Sequence, residues 1–152
     1  IPGEAVLKLS VRALDRKVRA TLLRRIEELV DAQARAFGVG WRMERVTGYP
    51  VLVNTRAETE FARRVATELV GAARVEPQTV ALSGSEDFAF MLEQVPGSYL
   101  LIGNGDGSDD GANGGHGACM VHNPGYDFND ANLPVGAAYW ALLVERFLSD
   151  AA

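Results

Sequence analysis

The first residues of the chain alternate between apolar and polar side chains. From Ala5 to Leu14 an apolar residue falls on nearly every second position, with Lys8, Ser10 and Arg12 between them. A period of two predicts a half-buried β-strand. Three further strands are predicted over residues 41–46, 78–84 and 98–103. The last of them is almost entirely apolar, which is typical of a strand covered on both faces of a sheet.

Two other stretches repeat their apolar residues at helical spacing. Asp15 is placed to cap a helix over residues 16–37, because its carboxylate can accept a hydrogen bond from a free amide of the first turn. Thr55 and Glu58 stand at capping-box spacing and open a second helix, which Gly71 closes. For both helices, the sequence therefore also predicts where the helix begins and ends.

Two more helices complete the predicted order. A short helix follows the sequence SGSED and is capped by Ser83 with Glu86, or by Ser85 alone. A last helix covers about residues 131–149. Helices and strands alternate after residue 50, which predicts an α/β layer. The turn sequence TGYP separates this layer from the strand–helix–strand segment that precedes it.

Composition and charge exclude several classes of protein. The formal net charge is −5, and basic residues are scattered along the predicted helices, so no nucleic-acid partner is expected. No apolar run approaches the roughly 18 residues that span a bilayer, so no membrane partner is expected either. Cys119 is the single cysteine, which excludes an internal disulfide and favours the cytoplasm as compartment. The chain opens without a methionine and enters a strand pattern at once, so we expect a piece of a longer polypeptide.

His122 is the first candidate functional residue. It stands directly before the turn sequence NPG, after a glycine-rich stretch over residues 104–118 that predicts a mobile loop. The spacing alone leaves three interpretations open. The histidine is a polar loop residue, a ligand or base of a site, or one corner of a zinc site with His116 and Cys119.

Two further segments combine polar groups that can serve a site. Arg12 lies on the polar face of the first predicted strand, where its guanidinium is either simply hydrated or grips a carboxylate bidentately. In the sequence SGSEDF the two acids stand at a helix start. There they complement the helix dipole without any further function. Spacing does not decide between these interpretations.

Several segments resemble one family in the same order along the chain. They are IPGEAVLKLSVRAL, GYPVLVN, SGSEDFAFMLEQVPGSYLLIGNG and VHNPGYDFNDANLPVGAAYWALLVERFL, which together cover nearly the whole chain. These segments are similar to the C-terminal part of bacterial N-acyl-amino-acid amidohydrolases, the hippurate hydrolase group. That group lies within the aminoacylase and carboxypeptidase superfamily of metal-dependent hydrolases. The sequences SEDFAF and HNPGYDFND carry the resemblance most specifically.

The resemblance implies a fold and a division into domains. In the family, a smaller ferredoxin-like lid domain that mediates dimerisation is inserted into a catalytic domain with two divalent metals. Residues 1–48 would be the second half of the lid, and residues 49–152 the C-terminal part of the catalytic domain. The expected fold class is therefore α/β, with part of a two-metal hydrolase domain and half of a ferredoxin-like lid.

The resemblance also implies roles for individual residues. His122 matches the family's last metal ligand, and Arg12 matches the arginine that holds the substrate carboxylate. The residues of the GSEDF loop line the active site in this comparison: Gly84, Ser85, Glu86 and Asp87. Asp87 is the one of these expected to contact a neighbour of the metal centre.

The implied activity is hydrolysis of N-acyl or N-aroyl amino acids by a homodimer that carries two divalent metal ions, zinc or manganese, with cobalt or nickel as alternatives. The family's other ligands and its general-base glutamate belong to upstream sequence that this chain lacks. We therefore expect no catalytic base in this chain and no activity from the fragment alone. The alternative is a non-enzymatic α/β module for dimerisation or ligand binding.

Overall fold

The structure, a computed structural model, describes residues 2–105 and 119–150. None of the helices in this part of the chain is long and apolar enough to cross a bilayer. The described helices are four α-helices and one 3₁₀ turn: α1 (Arg16–Phe37), α2 (Arg56–Val70), the 3₁₀ turn Ala72–Arg74, α3 (Phe88–Leu92) and α4 (Asn132–Asp150). Each of the four α-helices was predicted from the sequence, and the ends of α1 and α2 fall where the capping residues indicated.

Helix α1 begins and ends on local signals. The Asp15 carboxylate accepts a hydrogen bond from the amide of Val18 at 2.8 Å, as the sequence predicted. Gly38 ends the helix in the left-handed conformation, with φ of 65°, and its amide bonds to the carbonyls of Ala34 and Arg35. A residue without a Cβ adopts this conformation without steric cost. The length of α1 is therefore set by its own sequence.

The extended segment after α1 returns along the helix. Residues 39–49 lie beside it, and polar side chains make the connections. These are Trp41 Nε1 to the Asp31 carboxylate at 3.1 Å, Arg45 to Glu27 at 2.9 Å, and Arg19 to the Tyr49 carbonyl at 2.6 Å. The contacts follow each other in antiparallel order. Side chains therefore fix which residues of the segment lie beside which turn of the helix.

Helices α2 and α4 pack together, and two of the most buried side chains that the structure describes lie on α2. Ala62 and Val65 on α2 are 4% and 2% exposed. Phe61 meets Phe147 edge to face at 6.2 Å, and the Tyr139 hydroxyl donates to the carbonyl of Ala62 at 3.2 Å. Partial burial raises the pKa of Tyr139, since the phenolate would be poorly solvated there.

The start of α2 is tied to the segment that follows α3. The Thr55 amide donates to the Gly97 carbonyl at 3.0 Å, and the Gly97 amide donates to the Thr55 hydroxyl oxygen at 2.9 Å. Asn54 pairs in the same way with both backbone groups of Tyr99, at 2.8 and 2.9 Å. The Thr55 hydroxyl therefore does not cap a helix amide. It contacts the Glu58 carboxylate instead, which lowers the pKa of Glu58.

The predicted α/β fold is wrong for the structure of this chain. Residues 2–105 and 119–150 contain no β-strand, so neither a sheet nor half of a ferredoxin-like lid is present among them. An extended segment becomes a strand only when a neighbouring strand accepts and donates its backbone hydrogen bonds. The alternating segments lack that pairing, and their apolar side chains stay in water: Leu7 and Val80 are each 81% exposed.

The chain divides into two compact units. The first holds Ile1–Val53 with Thr79–Val95, and the second holds Asn54–Gln78 with Pro96–Ala152. Helices α1 and α3 belong to the first unit, and α2 and α4 belong to the second. The boundary between residues 48 and 49 that the family resemblance implies concerns the full-length protein and stays a prediction.

Packing between α2 and α4 predicts a large difference between two valines. Val65→Ala removes two methyl groups from a site that is 2% exposed, and should cost about 2 kcal/mol of unfolding free energy. Val80→Ala, at a position 81% exposed, should cost almost nothing. Urea unfolding of the two variants beside the unmodified chain measures both. Equal losses would contradict the assignment of the core.

Candidate functional site

His122 stands in a tight turn that its neighbours hold closed. The Asn123 amide donates to the Met120 carbonyl at 3.1 Å, and the Tyr126 amide donates to the Asn123 carbonyl at 2.9 Å. The Asn123 side-chain oxygen accepts from the Gly125 amide at 2.8 Å. Asparagine accepting from the amide two residues ahead is a usual way to fix a turn. The Asn-Pro-Gly sequence thus forms the turn that it predicted.

The backbone of His122 is in the left-handed region, with φ of 72°. Among the residues that the structure describes, it is the only non-glycine residue with a positive φ. Such a conformation costs about 1–3 kcal/mol for a residue with a Cβ and is concentrated at functional sites. The imidazole itself is exposed. The turn therefore presents an exposed imidazole in a conformation that histidine adopts more readily than most residues with a Cβ.

The described residues do not form a metal site of three or more ligands by themselves. They contain no group of three or more His, Cys, Asp or Glu side chains that could hold an ion together. Cys119 is a free, half-buried thiol whose sulfur lies close to the turn, 3.5 Å from where a Cβ on Gly125 would sit. The proposed zinc site of His116, Cys119 and His122 depends on His116, which is outside the described residues, as are residues 106–118 of the predicted mobile loop.

The segment after His122 is docked on the end of the preceding extended segment. Asn104 donates from its side chain to the carbonyl of Asp127 at 2.6 Å, and its side-chain oxygen accepts from the Asn129 amide at 2.8 Å. Asn132, the first residue of α4, donates to the carbonyl of Gly103 at 2.9 Å. These side chains position the Tyr-Asp-Phe-Asn-Asp sequence relative to α4. Nothing in the spacing of the sequence indicated that Asn104 would do this.

Arg12 reaches across the first unit to the loop that contains the other predicted site residues. Its terminal nitrogen donates to the carbonyl of Ser83 at 2.7 Å, and its Nε lies 3.4 Å from the Ser10 hydroxyl oxygen. The first contact joins residues 71 positions apart. Arg12 therefore contacts the residue directly before Gly84–Asp87, and the substrate-binding roles of Arg12 and of this loop stay predictions.

The loop Gly84–Asp87 is exposed except for Glu86, which is half-buried. The Glu86 carboxylate accepts from the amide of Phe88 at 3.2 Å, so one predicted acid does satisfy a helix amide. The predicted serine caps are wrong, because Asp87 occupies the N-cap position of α3 and no side chain caps it from there. Ser85 keeps an exposed position in the loop beside the residue that Arg12 contacts.

An open groove of about 480 Å³ lies in the second unit and was not predicted. Leu133, Ala137 and Trp140 recur at helical spacing on one face of α4, and Trp140 is 65% exposed. This exposed apolar face was the signal in the sequence from which the groove could have been inferred. The groove is lined mainly by apolar and aromatic side chains: Ile102, Tyr126, Phe128, Leu133 and Trp140.

Comparison with known proteins places these residues in a family context. The model of the peptidase family M20/M25/M40 matches residues 9–146, which includes Arg12, the loop Gly84–Asp87 and His122. No solved structure matches the chain significantly.

Three curated relatives show how much of such a protein the chain represents. It is similar to the hippurate hydrolase of Campylobacter jejuni, 31% identical over 148 residues, which is 97% of this chain and 36% of that protein. The IAA-amino acid hydrolase ILR1-like 6 of Arabidopsis thaliana is 30% identical over 155 residues, 98% of this chain and 32% of that protein. Thermostable carboxypeptidase 2 of Saccharolobus solfataricus is 24% identical over 150 residues, 97% and 35% respectively. The chain thus spans about a third of the length of these relatives, and it belongs to the peptidase family M20/M25/M40.

Proposed function

We propose that this chain is part of a metal-dependent amidohydrolase that cleaves N-acyl or N-aroyl amino acids into a carboxylic acid and an amino acid. The observation that carries the proposal is His122, an exposed imidazole held in a tight turn with a left-handed backbone, which the family resemblance matches to a metal ligand. The names of two relatives, a hippurate hydrolase and an IAA-amino acid hydrolase, support amides of amino acids as the substrate class.

In this proposal, one residue of the chain binds metal and others bind the substrate. His122, as a neutral imidazole, would hold one ion of a pair. When bound, two divalent ions, zinc or manganese with cobalt or nickel as alternatives, would polarise the amide carbonyl and lower the pKa of the attacking water. The remaining ligands and the general-base glutamate would come from sequence outside this chain. The chain alone is therefore not a catalyst in this proposal.

Arg12 would orient the substrate by its free carboxylate. A guanidinium has five N–H donors in a planar fork, and the contacts to Ser83 and Ser10 leave donors for a carboxylate. Gly84 and Ser85 follow Ser83 directly and are exposed, so a carboxylate on Arg12 would lie beside them. Such a contact fixes which end of the substrate approaches the metal. Glu86 and Asp87 would line the far side of the loop.

The proposal extends to assembly and cellular compartment. A homodimer through residues 1–48 agrees with the exposure of apolar side chains on α1, where Leu29 is 61% and Phe37 is 78% exposed. The cytoplasm is proposed because Cys119 is a free thiol, which persists in a reducing compartment.

The carboxylate role of Arg12 predicts a selective kinetic defect. In the full-length enzyme, Arg12→Ala should raise KM for acyl amino acids by roughly 10- to 150-fold, the loss of a charge-assisted pair worth about 1.5–3 kcal/mol. KM for an analogue that lacks the carboxylate should change much less. Steady-state kinetics with both substrates measure the difference. An equal rise in KM for the two would contradict the assignment.

The metal role of His122 predicts a loss of bound metal. In the full-length protein, His122→Ala should weaken retention of zinc or manganese by about 100-fold or more at one of two sites, because a ligand is removed outright. His116→Ala, the change at the other histidine of the chain, is the matched control and should leave the metal content unchanged. Elemental analysis after dialysis gives the stoichiometry. Unchanged metal content in His122→Ala would refute the ligand role.

A further inference from the structure

The chain segment of residues 79–95 is held in the first unit by contacts at both of its ends. Near its beginning, Arg12 donates to the Ser83 carbonyl at 2.7 Å. Near its end, the Arg16 guanidinium pairs with the Glu93 carboxylate. The exposed loop Gly84–Asp87 lies between these two points, directly after Ser83. The two arginines, four residues apart in sequence, thus secure opposite ends of the same segment.

The end of the segment near Glu93 has more buried contacts than the end near Ser83. Phe90 lies 5.7 Å from the ring of Tyr49, and Ala89 on α3 is 1% exposed. Around Ser83, by contrast, residues 79–85 are exposed and belong to no helix or strand. Backbone with few buried contacts opens at low free-energy cost. A hydrogen bond from a charged donor to the Ser83 carbonyl therefore has a large effect on where this part of the loop lies.

We propose that Arg12 is a positioning residue that fixes the backbone of the Gly84–Asp87 loop through its hydrogen bond to the Ser83 carbonyl, before any substrate is bound. The proposal rests on the proposed function insofar as it gives the loop a role in catalysis. It goes beyond that function because it assigns Arg12 a second task besides holding a carboxylate. One guanidinium would then align both the substrate and the loop that lines it.

The position of the loop and the grip on the substrate are coupled by this arrangement. The guanidinium is planar and rigid, so a nitrogen committed to Ser83 sets the orientation of those left for a carboxylate. Loss of Arg12 would therefore displace the loop even for a substrate that has no carboxylate to bind. Misplacement of a lining loop by about 1 Å can lower the rate of the chemical step substantially.

Hydrogen exchange of the full-length, metal-loaded protein tests the positioning directly. Arg12→Ala should raise amide exchange roughly 3- to 10-fold in peptides covering residues 80–88 and leave residues 89–95 unchanged. Arg16→Ala, the matched control, should show the reverse distribution, with faster exchange confined to the end near Glu93. Arg12→Lys should restore protection of residues 80–88, because its ammonium can donate one hydrogen bond to a carbonyl.

Two exchange results would overturn the proposal. One is unchanged exchange over residues 80–88 in Arg12→Ala. The other is faster exchange over the whole of residues 79–95, which would mean that Arg12 only supports the fold of the unit.

Kinetics with the carboxylate-free analogue separate the two tasks of Arg12. Arg12→Ala should lower kcat for this analogue about 5- to 10-fold, whereas Arg16→Ala should stay within about 2-fold of the unmodified enzyme. An unchanged kcat in Arg12→Ala would overturn the catalytic importance of the positioning. A fall in kcat without selective loss of the carboxylate substrate would uphold the positioning and refute the proposed carboxylate contact, so the two failures are distinguishable.

Discussion

Side chains supply hydrogen bonds that join segments outside the helices in the part of the chain that the structure describes. Asn54 pairs with both backbone groups of Tyr99 as a second strand would, and Asn104 does the same between Asp127 and Asn129. These contacts, most of them exposed to solvent, link segments that are far apart in the sequence. Arg12 donates a single hydrogen bond to the carbonyl of Ser83, the residue directly before the GSEDF loop. The candidate site therefore depends on a few long-range polar contacts.

The helices could be predicted because their signals are local. Asp15 and Gly38 mark the ends of α1 within the sequence that forms it, and the last helix was placed within one residue of Asn132 and Asp150. The strands could not be predicted correctly from the same kind of information. Alternation of apolar and polar residues, as around Leu7, indicates only that one face of the segment is apolar. A strand also needs a partner for its backbone hydrogen bonds, and no strand pairs with this segment in the described chain.

In the candidate site, too, local features could be predicted from the sequence and long-range contacts could not. The Asn-Pro-Gly turn could be predicted from the sequence. The structure adds that His122 has a φ of 72° in this turn. The contact between Arg12 and Ser83 could not be predicted from the sequence, because the acceptor is a backbone carbonyl and every residue type has one. The family resemblance implies substrate-binding roles for Arg12 and the GSEDF loop, and the structure adds a contact from Arg12 to Ser83, directly before that loop. Side-chain identity predicts turns and caps far better than it predicts which carbonyl a guanidinium will reach.

The central proposal is that His122 of this chain is one ligand of a metal-dependent hydrolytic site whose other ligands lie outside this chain. The most direct test is titration of zinc or manganese into the isolated 152 residues, with hydrolysis of an acyl amino acid assayed in the same samples. A catalytic zinc site requires about three protein ligands, so the account predicts weak binding and no turnover. Micromolar or tighter binding that His122→Ala abolishes, together with turnover, would contradict it.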